Sequence, residues 1–430
     1  MTSQAVESPS DERGTKMCPV DFDHNSADHA LHWPQIYAEM REKCPVAWTE
    51  SHGGYWVPTR HSDVMKIAQG VALFTSGKHF DPATLEVRGG AQVPVVPMVR
   101  MIPVETDAPE WNFYRGLLNP LFTPRVARTR QASVERYANA MIDRLIELGE
   151  CEIAEDYNRP VPALLTMEMF GLPLSQWRQF SEHIFTIFAL PKDAPGYADK
   201  VGAASEWILS RLADEIAQRR ADPTGEDIIS HLIRHDDGSG KLDDETIRIM
   251  CFNVIIGGVD TVNALTSNVI VYLGQNDRER KRLIENPDQI VGAMEEFVRF
   301  FSPSHALART ASRDIEMGNR MIEKGDRVLL PYSAANRDPA VFDQPDNIIL
   351  DRSPNRHVGF GAGPHHCLGA HQARITFPTM LRTLLARLPD FQVDIDKAAR
   401  IETVSSVNGW RSVPIKFTPG QKIGATIIDD

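Results

Sequence analysis

Cysteine is scarce in this chain. There are five in 430 residues, at positions 18, 44, 151, 251 and 367, and no two form a CxxC pair. So odd and scattered a set argues against a disulfide scaffold or a cysteine-held iron–sulfur cluster. It suits a reducing compartment in which at most one thiol has a special task. Long apolar runs are missing too: no stretch reads as the roughly 18 apolar residues of a membrane span. Near its start the chain runs SQAVESPSDERGTK, a polar stretch without the basic-then-apolar pattern of a secretory signal. Positive charge is in deficit, with 46 Lys and Arg against 58 Asp and Glu and a net charge of -12. That leaves no electrostatic footprint for nucleic acid or an anionic membrane surface. The expectation is a soluble, cytoplasmic monomer, with residues 1–20 a disordered polar tail and residues 21–430 one domain.

What is present is an ordinary globular composition, 42% hydrophobic and 24% charged, with enough core to enclose a cofactor. GGYWVPTR at 53–60 reads as a strand, and HSDVMKIAQG at 61–70 as a short helix closed by Gly70. From His79 to Glu105 no period is sustained, and the proline-punctuated run VPVVPMVRMIP suggests a lid or binding loop. Helical periodicity then dominates from Pro109 to Leu273, as in VERYANAMIDRLIELG and WILSRLADEIAQRRA. Asp243, Asp244 and Glu245 sit where a helix start favours acids, and no proline interrupts the pattern before Leu273. One helix of about 30 residues, at about 1.5 Å each, would cross the whole molecule. The last third mixes short strands, DRVLLPY at 326–332 and RSVPIKFTP at 411–419, with a helix from about Leu368 to Leu388. The fold class expected is mainly α with small β-sheets.

FGAGPHHCLGAHQAR, from Phe360 to Arg374, holds a lone thiol in a glycine-lined loop ahead of a helix. Gly361 and Gly363 could open a phosphate cradle, but no third glycine and no Lys-Ser/Thr pair follows. His365, His366 and Cys367 could be zinc ligands, but adjacent residues point apart and no second ligand cluster has metal-site spacing. A buried structural cysteine is the plain alternative. Against it stands the setting, because unpaired backbone N–H groups at a helix start stabilise a thiolate, which could ligate a metal. Gly363 and Gly369 would admit a flat, bulky partner, and Phe360 could cover the sulfur.

The pattern Phe360-x-x-Gly363-x-x-x-Cys367-x-Gly369 resembles the heme-binding signature of the cytochrome P450 superfamily. The resemblance implies a single-domain P450 fold with a long central helix over a buried heme b, Cys367 as the iron ligand, and Phe360, Gly361, Gly363, His365 and Gly369 around the cofactor. Glu296 and Arg299 resemble the family's ExxR pair, with one helix face holding both and Arg352 as their downstream partner. A phenylalanine usual near that arginine is Ile348 here. IIGGVDT, from Ile255 to Thr261, resembles the oxygen-activation segment. Gly257 and Gly258 each cost about 1 kcal/mol against alanine inside a helix, so they want a reason, such as a groove against the heme. Asp260 and Thr261 would organise proton delivery. Arg115, Arg309 and His365 fall at the propionate positions, and Trp111 replaces the usual histidine while keeping one N–H donor. GYW, AEDY, GLP, GGVDTV and KGDRVLLP extend the likeness toward the camphor-hydroxylating bacterial branch.

The function so implied is a monooxygenase that uses O2 to hydroxylate a small hydrophobic substrate. Its electrons would come from a [2Fe–2S] ferredoxin and its flavin reductase, docking on the Cys367 face near Arg115. A same-fold peroxygenase using hydrogen peroxide and a non-catalytic heme sensor or carrier are the alternatives. The Asp260-Thr261 pair argues against the first. The expected substrate contacts are Val99, Met101, Gly257, Thr261, Ala306 and Leu307. Val99 occupies the place of a tyrosine that orients camphor, so the expectation is a terpenoid or norisoprenoid and only loosely held camphor.

Overall fold

The computed structural model describes residues 18–81, 86–96, 99–222, 224–235, 242–404 and 407–427. The expected disordered tail lies, over residues 1–17, outside the described residues. Its last three residues correct the expectation. Pro19 forms a parallel bridge with Trp48, and the Val20 N–H donates to the Trp48 carbonyl at 2.9 Å. Cys18 is joined to Cys44 in a disulfide, against the expectation that the scattered cysteines stay reduced, leaving Cys151, Cys251 and Cys367 free. The helix Ala27–Lys43 carries the chain back to bring that pair together, a contact across 26 residues that no local motif announces.

The long helix forms as its pattern demands, over Asp244–Gln275. Asp243 caps it by accepting the Thr246 N–H at 2.7 Å, and Asp244 and Glu245 occupy its first turn. It packs against the helices Pro160–Phe170, Tyr197–Ala221 and Ala370–Arg387. By length and composition it is apolar enough to cross a membrane, which the sequence reading passed over; 78% of its most apolar window is buried inside the protein, as for a core helix. The helix expected from Leu368 runs over Ala370–Arg387, and Gly70 closes the helix His61–Gln69.

A five-stranded sheet runs in the order Val46–Thr49, Tyr55–Pro58, Arg327–Pro331, Ala306–Ala311, Phe74–Thr75. Strand Ala306–Ala311 pairs antiparallel with Arg327–Pro331, with Val328 opposite Arg309 and Leu330 opposite Leu307. Because side chains alternate along a strand, Leu307 and Arg309 share one face and Ala306 and Ala308 the other. The interval expected to be irregular contains a hairpin instead, Lys78–Asp81 paired with Glu86–Gly89.

Candidate active site

The long helix, the cysteine loop, the strand Ala306–Ala311 and the loop around Val99 enclose one cavity of about 340 Å³. Cys367 lies three residues before the helix Ala370–Arg387, its backbone N–H donating to the Phe360 carbonyl at 2.8 Å. Its thiol is exposed, but to the cavity, a space within the molecule. Burial pushes the thiol pKa up, against the pull of the Gly369 N–H, the Arg115 and Arg374 guanidiniums and the Ala370 N–H. The ionised form therefore gains most from a further positive charge placed against the sulfur. Arg374 stands 4.5 Å from the centre of the Phe360 ring and is itself paired with Glu295 at 2.7 Å. Burial alone would raise the Glu295 carboxyl, but His357 and Arg374 outweigh it and hold it at about 2. The ring beside the sulfur is thus fixed by a buttress the sequence reading missed, seven residues beyond the cysteine.

The loop glycines divide by purpose. Gly361 lines the cavity at φ +71°, and an added Cβ at Gly369 would point to within 4.0 Å of the Cys367 sulfur. Gly363 corrects the expectation. At φ +67° its Cβ would stand 2.5 Å from the Ala68 carbonyl, so it serves the packing of the loop on the end of helix His61–Gln69 and does not line the cavity.

At one edge of the cavity, cationic and donor groups gather beside carboxylates already engaged elsewhere, Asp107 by Thr75 and the Ser76 N–H and Glu105 by Lys78 at 3.7 Å. Arg309 is 2% exposed and hydrogen-bonds the Ala308 carbonyl at 2.8 Å. Arg115 bonds Asn119 Oδ1 and the His366 carbonyl, each at 2.8 Å. Among the described residues neither forms an ion pair. Trp111 Nε1 is buried with no partner, and the indole lies 5.5 Å from the His365 ring. Burial, reinforced by Arg309, lowers the His365 pKa to about 4, so the ring is neutral and bonds Ser76 Oγ at 3.2 Å. Two guanidiniums and an orphaned indole N–H facing one space fit the carboxylates of an acidic cofactor, since buried cations demand anionic partners. With a thiol on the same cavity, this donor set fits heme b, with the unpartnered Trp111 Nε1 free to donate.

Across the cavity the long helix presents Gly257 and Thr261, one turn apart. A Cβ on Gly257 would meet nothing within 4 Å, whereas one on Gly258 would stand 3.1 Å from Thr166 Oγ1. Gly257 therefore keeps the groove open, and Gly258 also admits the neighbouring helix. Thr261 Oγ1 donates to the Gly257 carbonyl at 3.0 Å. Asp260, about 100° further round the helix, is 2% exposed and lies behind the cavity wall. Neither of its carboxylate oxygens has a hydrogen-bond partner. Burial raises its pKa to about 6, with Arg159 and, more weakly, the neighbouring Asn263 side chain pulling the other way. Arg159 was not singled out in the sequence, although it stands two residues beyond AEDY. It is 6% exposed, with Nε and Nη2 unpartnered and Glu155 3.8 Å from Nη1.

Val99, Met101 and Leu307 line the cavity as expected. Ala306 does not: the strand's alternation turns it away, into a cluster with Trp33 and Tyr37. Glu296 and Arg299 are fully buried and joined by two hydrogen bonds of 2.7 and 2.8 Å, and Arg352 Nε reaches Glu296 at 2.9 Å. Asn355 and the Ile349 N–H complete the carboxylate's shell, so isoleucine at 348 does not prevent the network.

The chain matches the Cytochrome P450 family over residues 100–416. It is 32% identical over 374 residues to Cytochrome P450 130 of Mycobacterium tuberculosis, covering 84% of this chain and 89% of that one. It is 27% identical over 417 residues to Cytochrome P450-terp of a Pseudomonas species, with 91% and 95% covered. Among solved structures, CYP109E1 from Bacillus megaterium in complex with testosterone superposes with a TM-score of 0.81 at 25% identity, over 91% of this chain and 99% of that one. With the thiol, the anion-seeking edge and the buried ExxR network in one fold, these matches place the chain in the Cytochrome P450 family, as a monooxygenase that uses heme b.

Proposed function

We propose that this protein hydroxylates a small, compact, largely apolar molecule, a terpenoid or norisoprenoid, with electrons delivered by a separate [2Fe–2S] ferredoxin and its reductase. The observation that carries the reading is the shape of one wall: Gly257 leaves open space, Thr261 faces it, and apolar Val99, Met101 and Leu307 surround it. Cys367 would hold the heme iron, Arg115, Arg309 and Trp111 would take its propionates, and His365 would border them. The bound cofactor supplies activation of O2 for insertion of one oxygen atom into a C–H bond.

The chain's own residues hold and move the protons. Asp260, buried with a pKa of about 6, can both carry and release a proton near neutral pH. Thr261 can pass that proton into the cavity once its hydroxyl turns from the Gly257 carbonyl. Retention of this acid–alcohol pair favours an O2-using monooxygenase over a peroxygenase. We infer a cytoplasmic monomer whose Cys367 face, near Arg115, meets the ferredoxin.

Replacing Thr261 with alanine tests the reading. Cofactor content and substrate binding should stay within about twofold, while hydrogen peroxide rises at the expense of hydroxylated product. Coupling equal to the wild type would remove Thr261 from the mechanism. Cys367→Ser should abolish the red-shifted band of the reduced, carbon-monoxide-bound protein.

A further inference from the structure

We propose that Asn253 is the polar anchor of the substrate pocket, and that the substrate therefore carries a ketone or hydroxyl oxygen away from the carbon that is oxidised. The proposal rests on the small-apolar-substrate reading and narrows it to a mono-oxygenated compound.

Asn253 stands four residues before Gly257 and eight before Thr261, so all three lie on one stripe of the long helix, and all three line the cavity. Its place is about 6 Å along the helix from Gly257 and about 12 Å from Thr261, at 1.5 Å per residue. The amide makes no hydrogen bond among the described residues, unlike the other asparagines of the same helix. Asn268 donates to the Ala264 and Asn408 carbonyls, at 2.8 and 2.9 Å, and accepts from Trp410 Nε1 at 3.0 Å. Asn263 Oδ1 accepts from Ser267 Oγ at 3.3 Å. Those two are buried and engaged, whereas Asn253 is half-buried and open to the cavity.

A primary amide in an otherwise apolar wall costs solvation unless a ligand satisfies it. Asn253 offers a donor to a carbonyl and an acceptor to a hydroxyl. An oxygen held there sets the far end of the molecule near Gly257 and Thr261. Thr166, beside Gly258 on the facing helix, is the rival anchor. Its hydroxyl also has no partner, and it sits opposite a point about 7.5 Å further along the helix.

The test is calorimetric titration of the holoenzyme with a cyclic terpenoid ketone, the matching alcohol and the hydrocarbon of the same skeleton. The wild type, Asn253→Leu, Asn253→Asp and Thr166→Val are compared, with the carbon-monoxide spectrum certifying each fold. One hydrogen bond predicts that the wild type binds the oxygenated ligands about three- to tenfold tighter than the hydrocarbon. Asn253→Leu should erase that preference while the hydrocarbon binds as well or better. Asn253→Asp should keep the alcohol and lose the ketone, and Thr166→Val should retain the preference. Equal binding of all three ligands to the wild type, or loss of preference in Thr166→Val alone, overturns the anchor and leaves the apolar-pocket reading standing. If the wild type binds none of them, both readings fall.

Discussion

Replacing Asp260 with asparagine should make the protein more stable and less active at the same time. The carboxyl is buried, and its pKa is raised from an ordinary 3.8 to about 6, by burial and against Arg159 and Asn263. At roughly 1.4 kcal/mol for each tenfold change in a protonation equilibrium, the ionised form is disfavoured in the fold by about 3 kcal/mol. The sign follows from the direction. Below 3.8 both folded and unfolded chains hold the proton and Asp260 contributes nothing to pH dependence. Between 3.8 and about 6 the unfolded chain loses its proton first, so stability falls as pH rises, and above about 6 the full cost remains. Asparagine has no proton to lose and keeps nearly the same volume. At pH 7.5 the variant should be more stable by up to about 3 kcal/mol, which for 430 residues, with an unfolding entropy near 0.9 kcal/mol/K, raises Tm by about 3 °C. Paired thermal unfolding from pH 4 to 8 reads both quantities, and product formation should fall at least tenfold because proton supply is lost. An Asp260→Asn protein no more stable than the wild type at pH 7.5, with the same pH slope between 4 and 6, would refute the burial argument.

Two further perturbations test how the site is built. Glu296→Gln leaves Arg299 and Arg352 without their shared buried carboxylate, so denaturant unfolding should show a loss of about 3–5 kcal/mol with diminished cofactor retention; a change under 1 kcal/mol would mean the network is not electrostatic in origin. Gly257→Ala, whose new methyl meets nothing within 4 Å, should gain up to about 1 kcal/mol of helix stability while narrowing the groove and slowing turnover. Gly258→Ala, 3.1 Å from Thr166 Oγ1, should gain less, and the reverse order would contradict the separate purposes given to the two glycines.

What was legible in the sequence was what repeats or is spaced locally. The long helix announced itself by an acid-rich start and an apolar pattern without proline, and the ExxR pair by its i, i+3 spacing. The thiol loop was legible because glycines, a phenylalanine and a cysteine fall within ten residues. What escaped depends on partners far along the chain. Gly363 reads like a cofactor glycine until the end of helix His61–Gln69 is seen against it. Ala306 reads like a pocket residue until its strand pairing turns it toward Trp33. Arg159 and Asp260 are 101 positions apart, and nothing in either segment names the other. The Cys18–Cys44 bridge was missed for the same reason, since only the return of helix Ala27–Lys43 joins its ends.

The cationic and unpartnered polar groups of the site fall into two sets, and the difference bears on mechanism. Arg309, Arg115, Trp111 and Asn253 face the cavity, so whatever fills it can satisfy them, and their cost becomes binding energy for cofactor and substrate. Asp260 and Arg159 lie outside the cavity lining, so no occupant of it can hydrogen-bond them directly. Their cost therefore persists in the loaded protein, as expected where Asp260 must exchange protons during turnover beside the permanent charge of Arg159, because a carboxylate with settled hydrogen bonds would be a poor carrier. On this view the first set determines what enters the cavity and the second how protons reach it. Substitutions in the first should change affinities at fixed pH, and substitutions in the second should change pH dependence at fixed affinity.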